Sequence, residues 1–356
     1  MTDDAPVLPH TDGHVRHITL NRPRVLNALD HASVRALDAA LAAAEGDDAV
    51  TAVLVSGAGD RGLCAGGDIR ALHDDARAGA GASLDFWRDE YRLNARIHRY
   101  PKPYVAYMDG IVMGGGVGIS AHGSVRVVTE RSRIAMPETA IGFVPDVGGL
   151  HLLSRAPGGL GTHLALTGRS VGAADALLCG LADHHVRSED LPALTAALSG
   201  CTSPAEVTAT VLRHTTAPEA GELDAARDWI DSCYAADTVD GILDRLRDHG
   251  APAAKETAEV LLTLSPTALV VTLAAVRRAR AAGSLEESLD QDFRVSTRAL
   301  AHPDFVEGVR ARIVDKDYAP RWSPARTEDV RESDVARYFA PLGARELGLA
   351  PRPGES

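Results

Sequence analysis

Residues 104–149 read YVAYMDGIVMGGGVGISAHGSVRVVTERSRIAMPETAIGFVPDVGG, and the rest of the chain is organised around them. The apolar run Tyr104–Met108 has the make-up of a buried strand. Three consecutive glycines, Gly114, Gly115 and Gly116, lead into the small-residue segment VGISA, and a second strand is expected over Val125–Thr129. Pro137-Glu138 and Pro145-Asp146 then place two carboxylates eight positions apart, each directly after a proline. Backbone donors beside fixed carboxylates in one short region point to chemistry at a polarised carbonyl.

Working outward, 356 residues at 45% hydrophobic can bury a large core. Aromatic residues are only 4%, so alanine, leucine and valine must build that core. The 37 basic and 49 acidic residues leave a net charge of -12, which argues against a nucleic-acid surface. The four cysteines, Cys64, Cys179, Cys201 and Cys233, form no CxxC pair, which fits a reducing compartment and no structural zinc. The N-terminus, MTDDAPVLPH, lacks the basic and then apolar pattern of a signal peptide. No apolar run reaches the roughly 20 residues of a membrane span. A cytoplasmic protein is expected.

Before the central stretch, residues 1–13 read as a flexible tail and Val15–Leu20 as a strand ending at the turn Asn21-Arg22-Pro23. Asp30 is placed to cap a helix over 31–45 with Val34, Leu37 and Leu41 as its apolar stripe. Ala52–Val55 is a short buried strand running into GAGDRGLCAGGDIRAL, where Asp68 is a candidate cap for the helix through Leu72. A Gly/Ala linker at 79–82 precedes a helix over roughly 84–98. After Gly149 helical patterns dominate, with two helices and a short strand over 160–187 and helix boundaries near Pro204, Pro252, Pro266 and Pro303. The pattern gives α/β in the first half and α in the second.

Gly66-Gly67 and Gly114-Gly115-Gly116 share a context, each following a strand and opening a helix. Glycine there allows close approach of a ligand, and a helix start supplies unpaired N–H groups. Two such N–H groups can bind one oxygen that becomes an oxyanion; tight packing between turns is the plainer account of the same glycines. Gly114–Ile119 does not fit GxGxxG, and GxxxxGK[ST], HExxH and EF-hand loops are all missing. His184-His185 is a poor metal pair, because adjacent positions diverge, and a structural or surface role is expected.

The carboxylates have plain readings too. Glu138 reads as an exposed turn residue or a helix-start carboxylate, or else as a partly buried base or nucleophile. Asp146, in PDVGG, has the position of a cap for the next helix. Glu90, in WRDEYRLN, taken alone is a helix-surface charge. Cys64 has no basic partner nearby in sequence and reads as a small packed residue.

Together these residues resemble the crotonase (enoyl-CoA hydratase/isomerase) superfamily. The resemblance rests on ITLNRPRVLNAL, GLCAGGDIRAL, YVAYMDGIVMGGGVGIS and AMPETAIGFVPDVGG, and continues through SPTALVVTL and HPDFVEGVRARIVDKDYAPRW. Within the superfamily the chain is most similar to the 3-hydroxyisobutyryl-CoA hydrolase branch. The resemblance implies an α/β fold, a spiral of ββα units with a helical C-terminal region, often assembled as a homo-oligomer (trimer or dimer). It implies a core over 14–200 carrying the CoA and thioester site, a helical region over 201–350, and a flexible tail over 351–356.

For the site, the resemblance implies that the N–H groups of Gly67 and Gly115 form an oxyanion hole for the thioester carbonyl. Gly66, Asp68, Ile69, Arg70 and Gly114 would line the acyl-CoA site, the loop 66–70 embracing adenine and pantetheine. Glu138 matches the catalytic glutamate, Asp146 the hydrolases' second acid, and Glu90 an acidic pocket residue of that branch. Hydratases carry a further glutamate a few residues after the triple glycine, where this chain has Gly118, so the departure favours thioester hydrolysis. The expected substrate is a short β-hydroxyacyl-CoA, with no cofactor beyond the CoA it carries, no metal, no nucleic acid and no membrane. The alternatives are a hydratase or isomerase on the same fold and a non-catalytic acyl-CoA-binding protein. Trp87, Phe143 and Val144 are candidates for setting the pocket.

Overall fold

The apolar runs of the first half become strands, and short runs beside them become strands as well. The computed structural model describes residues 5–79 and 81–350. Its strands are β1 (Val7–Asp12), β2 (Val15–Leu20), β3 (Ala52–Gly57), β4 (Gly62–Cys64), β5 (Tyr104–Met108), β6 (Ile111–Met113), β7 (Val125–Val128), β8 (Arg133–Ala135) and β9 (His184–His185). The chain divides into two interleaved compact units, whereas the sequence places a boundary at 200. The first comprises residues up to 68, 92–135 and 171–221; the second comprises 69–91, 136–170 and 222 onward.

In the first unit, a six-stranded sheet runs β1-β2-β3-β5-β7-β9 and a three-stranded sheet runs β4-β6-β8. Consecutive strands β3β4, β5β6 and β7β8 therefore send one member to each sheet. This is the ββα spiral: each repeat adds one parallel strand to both sheets and returns through helix. Among the described strands, β1 and β2 pair antiparallel, from Val7 opposite Leu20 to Asp12 opposite Val15, and the other pairs are parallel. Residues 7–12, expected to belong to a loose tail, thus form an edge strand, and Pro9 is tolerated because one side of an edge strand needs no N–H. The tail expected at 351–356 lies outside the described residues.

One face of the large sheet packs Ala52 and Leu54, Val105 and Tyr107, and Val125 and Val127 against Leu194, Leu198, Val207 and Val211. Those last four come from the helices Leu191–Ser199 and Pro204–His214. The i, i+2 spacing is the strand period; the opposite face is buried too, since all five residues of β5 are buried, as a parallel strand covered on both faces requires. The helix His31–Glu45 is capped by Asp30, whose carboxylate accepts from Ser33 N, and it buries Val34, Leu37 and Leu41 as the periodicity predicts. The triple glycine opens the helix Gly115–Ser120, every residue of which is buried. A Cβ on Gly116 would meet the Cys64 carbonyl oxygen at 2.4 Å, so only glycine allows the helix to lie against β4.

The second unit is built on helices. Pro266–Ala281 is buried around most of its circumference and packs against Gly149–Leu153 and Leu160–Thr167. Helices start at Pro252, Pro266 and Pro303, and in the first unit at Pro204, because proline at the first turn forgoes no helical hydrogen bond. The helix Ala82–His98 begins slightly before its expected start, with Ser83 bonded to the Asp75 carboxylate.

Candidate active site

The two glycine loops meet inside the first unit. Gly66 has φ +108, and a Cβ built on it would lie 3.2 Å from Met113 O and 3.6 Å from Gly115 N. A side chain there would fill the space in front of the Gly115 amide. Gly114, at φ 48, turns the chain so that Gly115 is the first residue of its helix, where an N–H has no helical partner. Gly67 pairs with Leu29 in an isolated parallel bridge, flanked by the bonds Leu29 N–H to Gly66 O and Asp68 N–H to Leu29 O. Among the described residues no hydrogen bond from the N–H of Gly67 or Gly115 is found. Asp68 accepts from Arg22 at 3.3 Å. Cys64 is buried below this loop, the small packed residue the sequence suggests.

The carboxylates gather in the second unit. Glu138 starts a 3-10 turn, Glu138–Ile141, that is gripped from both sides. Thr139 Oγ1 donates to Leu166 O, and a Cβ on Gly142 or Gly308 would strike Asp304 or Ile141 backbone within 2.5 Å. Asp146 precedes a turn through Val147 and Gly148, both at positive φ, closed by Gly149 N–H to Asp146 O at 2.7 Å. The helix Gly149–Leu153 takes Gly148 as its N-cap, so Asp146 is not the cap its sequence position suggests. Its Oδ2 instead accepts from the Tyr91 hydroxyl at 2.5 Å, and that hydroxyl lies 2.8 Å from Ser296 Oγ. Glu90 is 2% exposed, so the surface-charge reading is corrected as well. Helical spacing puts it on the face of Trp87 and Tyr91, which is inward.

Glu90, Glu138, Asp146 and a fourth acid, Asp292, are all buried, and none has a Lys or Arg at ion-pair distance among the described residues. Burial without a cation favours the neutral acid. It pushes Glu138 well above the usual carboxylate range, and the neighbouring Asp146 charge adds to this. Glu90 is raised by burial and then by Asp146 and Glu138, which places the three carboxyls in one electrostatic neighbourhood. Asp146 is raised to about 7 by burial, against the opposing pull of the Tyr91 hydrogen bond. Asp292 is raised by burial and by Asp146, opposed by the Gly148 N–H it accepts. Glu138 Oε2 and Glu90 Oε1 are buried atoms without a hydrogen-bond partner. Such acceptors suit a polar guest and carry an energetic cost without one. The cluster can therefore hold protons near neutrality and hand them to a bound molecule.

Beside the acids, Trp87 stacks on Phe143 with centroids 5.5 Å apart, and Phe143 packs on Phe305 at the same separation. Of the other sequence-predicted residues, Arg70 is exposed and donates to Ile313 O at 2.9 Å, and Ile69 opens the helix Ile69–Ala78.

The enoyl-CoA hydratase/isomerase family model matches residues 15–339. The chain belongs to that family. Among relatives of this family member, a mitochondrial 3-hydroxyisobutyryl-CoA hydrolase from Rattus norvegicus is 43% identical over 97% of this chain and 91% of its own. The enzyme of the same name from Homo sapiens is 40% identical over 96% and 90%. Two solved structures are also similar. A carnitinyl-CoA dehydratase from Mycobacterium thermoresistibile has a TM-score of 0.93 and 51% identity, covering 97% of this chain and 99% of that one. An enoyl-CoA hydratase from Rhodobacter sphaeroides 2.4.1 has a TM-score of 0.90 and 45% identity, covering 96% and 99%. The expected α/β crotonase fold with a helical C-terminal region is the observed one.

Sequence reasoning missed Tyr91, Asp292 and Ser296 in this family member. A signal for the last two exists: in LEESLDQDFRVSTRAL, Asp292 and Ser296 fall at helical spacing among Leu285, Leu289, Phe293 and Ala299, where a core residue is due. Among the described residues, no group of three or more His, Cys, Asp or Glu is arranged to hold a metal ion, and no single helix is long and apolar enough to cross a membrane. His185 bonds Thr216 Oγ1 through Nδ1, a structural role.

Proposed function

We propose that this protein hydrolyses a short β-hydroxyacyl-CoA, 3-hydroxyisobutyryl-CoA foremost, to the free hydroxy acid and CoA. The observation that carries this reading is the buried acid cluster, in a chain whose full-length relatives include enzymes named as hydrolases of that thioester. Gly118, at the position where the family resemblance expects a hydratase glutamate, supports it.

In this reading the N–H groups of Gly67 and Gly115 take the carbonyl oxygen as it gains charge, each such donor being worth about 3 kcal/mol in the transition state. Gly66, Asp68, Ile69, Arg70 and Gly114 line the CoA path. Glu138 works as carboxylate by one of two routes. It attacks the carbonyl carbon, the C–S bond breaks, CoA leaves with a proton from the cluster, and water then opens the mixed anhydride. In the other route it takes a proton from water as the oxygen adds to the carbonyl carbon; the tetrahedral intermediate then collapses, the C–S bond breaks, and the CoA thiolate leaves with the proton that Glu138 took up. Glu90, whose carboxyl burial pushes above the usual carboxylate range, and Asp146 orient the substrate hydroxyl and the water. Such a reaction needs no cofactor beyond the CoA in the substrate.

The solved structures named as a dehydratase and a hydratase favour a second reading, addition or loss of water at the acyl chain. A thiol-release assay with 3-hydroxyisobutyryl-, 3-hydroxypropionyl- and crotonyl-CoA separates the two. Free CoA from the hydroxyacyl thioesters, lost in Glu138→Gln, supports hydrolysis. Loss of crotonyl absorbance without free thiol overturns it. Binding of acyl-CoA without either signal would leave a carrier. A single turnover in labelled water distinguishes the routes, because label enters the Glu138 carboxylate only through the anhydride. We place the enzyme in the cytoplasm as a dimer or trimer; its four cysteines are buried and suit a reducing compartment, and the relatives' names place those enzymes in mitochondria. Cell fractionation and light scattering test both.

A further inference from the structure

The helix Leu285–Leu300 carries three buried polar side chains one turn apart, Ser288, Asp292 and Ser296. They form a stripe beside the apolar side chains of Leu285, Leu289 and Phe293. Each meets the segment that presents Asp146, or the residue bonded to it. Ser288 Oγ lies 3.2 Å from His151 Nδ1. Asp292 Oδ2 accepts the Gly148 N–H at 2.8 Å. Ser296 Oγ lies 2.8 Å from the Tyr91 hydroxyl, which donates to Asp146 Oδ2 at 2.5 Å.

The segment needs holding. Val147 is β-branched and sits at φ 52, in the left-handed region that such residues avoid, and Gly148 follows at φ 73. Relaxation of Val147 to negative φ would turn Asp146 away from Tyr91. A carboxyl at position 292 is otherwise a poor choice. It is 2% exposed and has no cation beside it, and an apolar residue of similar size would avoid the cost of its burial. Tyr91 is itself fixed, its ring edge-on to Phe293 at 6.3 Å, and Arg88 covers the Phe293 ring at 4.7 Å.

We propose that Asp292 and Tyr91 are positioning residues for Asp146. Asp292 pins the left-handed turn through the Gly148 N–H, and Tyr91, braced by Ser296, fixes the direction and charge of the carboxylate. Neither touches substrate. The proposal rests on the reading of Asp146 as an active-site acid, and its test includes a readout that does not depend on turnover. The titratable groups facing Asp146 are Glu90 and Tyr91 from Ala82–His98, Glu138 from its 3-10 turn and Asp292 from Leu285–Leu300.

The experiment uses the full chain with 13C-carboxyl-labelled aspartate, the Asp146 signal being assigned by its loss in Asp146→Asn. In Tyr91→Phe, which keeps the ring, the Asp146 titration moves to higher pH by about one unit or more, because the ionised carboxylate loses a donor. The acid limb of kcat/KM for 3-hydroxyisobutyryl-CoA moves with it, while KM changes little. Asp292→Leu lowers kcat by about tenfold or more through misplacement of Asp146. Asp292→Asn, whose amide oxygen still accepts the Gly148 N–H, recovers most of that loss. An Asp146 titration unmoved in Tyr91→Phe, or equal kcat in the leucine and asparagine variants, overturns the proposal. A wild type without turnover of any hydroxyacyl-CoA defeats the functional reading instead, and the Asp146 titration then decides the proposal alone.

Discussion

Replacing Asp146 by asparagine should stabilise the protein, and the gain should grow with pH. Burial raises the Asp146 carboxyl from its ordinary 3.8 to about 7. A folded-state pKa above the unfolded value means that the native chain keeps a proton the unfolded chain has released. Stability is then fully present below the unfolded pKa and is lost as pH rises through the folded one. Three pH units or so, at about 1.4 kcal/mol each, is on the order of 4 kcal/mol lost by pH 8, of which about 3 kcal/mol falls between pH 5 and 8. Asparagine has no such slope, and its amide oxygen still accepts from the Tyr91 hydroxyl. Because the Asp146 charge also raises Glu90, Glu138 and Asp292, its removal eases their ionisation and enlarges the effect in the same direction. The assay is urea unfolding of wild type and Asp146→Asn at pH 5 and pH 8, where groups common to both chains cancel in the comparison. The variant should gain on wild type by about 3 kcal/mol between the two pH values. A difference that stays constant, or that shrinks as pH rises, refutes the account of Asp146 as a carboxyl held neutral by burial.

Glu138→Gln should keep its fold, read by circular dichroism, and lose about a hundredfold or more of its thiol release, since glutamine can neither attack nor accept a proton. Gly116→Ala should destabilise the protein by about 1–3 kcal/mol in urea unfolding, because the new methyl group meets the Cys64 carbonyl at 2.4 Å and backbone must move. Asp30→Ala should cost about 1 kcal/mol by the same measurement, since it removes the acceptor of the Ser33 N–H.

The parts of the fold legible in the sequence are those whose causes are local. Val15–Leu20, Ala52–Val55 and Tyr104–Met108 are apolar runs of strand length, and the helix His31–Glu45 announces both its cap and its stripe. The strands Gly62–Cys64, Ile111–Met113 and Arg133–Ala135 are three residues each, too short to show a period, so the second sheet was not legible. Val7–Asp12 carries a proline and three polar residues, and it is a strand only because the neighbouring edge receives it. The acids show the same division. Glu138 and Asp146 stand out by motif, but the local readings of Asp146 as a cap and Glu90 as a surface charge both fail. Their environment is set by Tyr91, 55 positions from Asp146, and by the helix that carries Asp292 and Ser296.

The cluster is also a place where this chain departs from its own local rules. The caps at Asp30 and Ser265 and the apolar stripe of His31–Glu45 agree with the structure they sit in. Around Asp146 three departures coincide: a valine in the left-handed region, acids buried without cations, and carboxylate oxygens on Glu90 and Glu138 without partners. Each is unfavourable alone, and each would be removed by an ordinary substitution, such as glycine at 147, leucine at 292 or glutamine at 138. A structure that keeps all three within one helix-backed corner is stabilised by the rest of its core against them. Thioester cleavage accounts for the set better than packing does: it needs a carboxylate free to act on carbon or water, a neighbour that gives up a proton near neutrality, and a scaffold that stops either from finding a protein partner first.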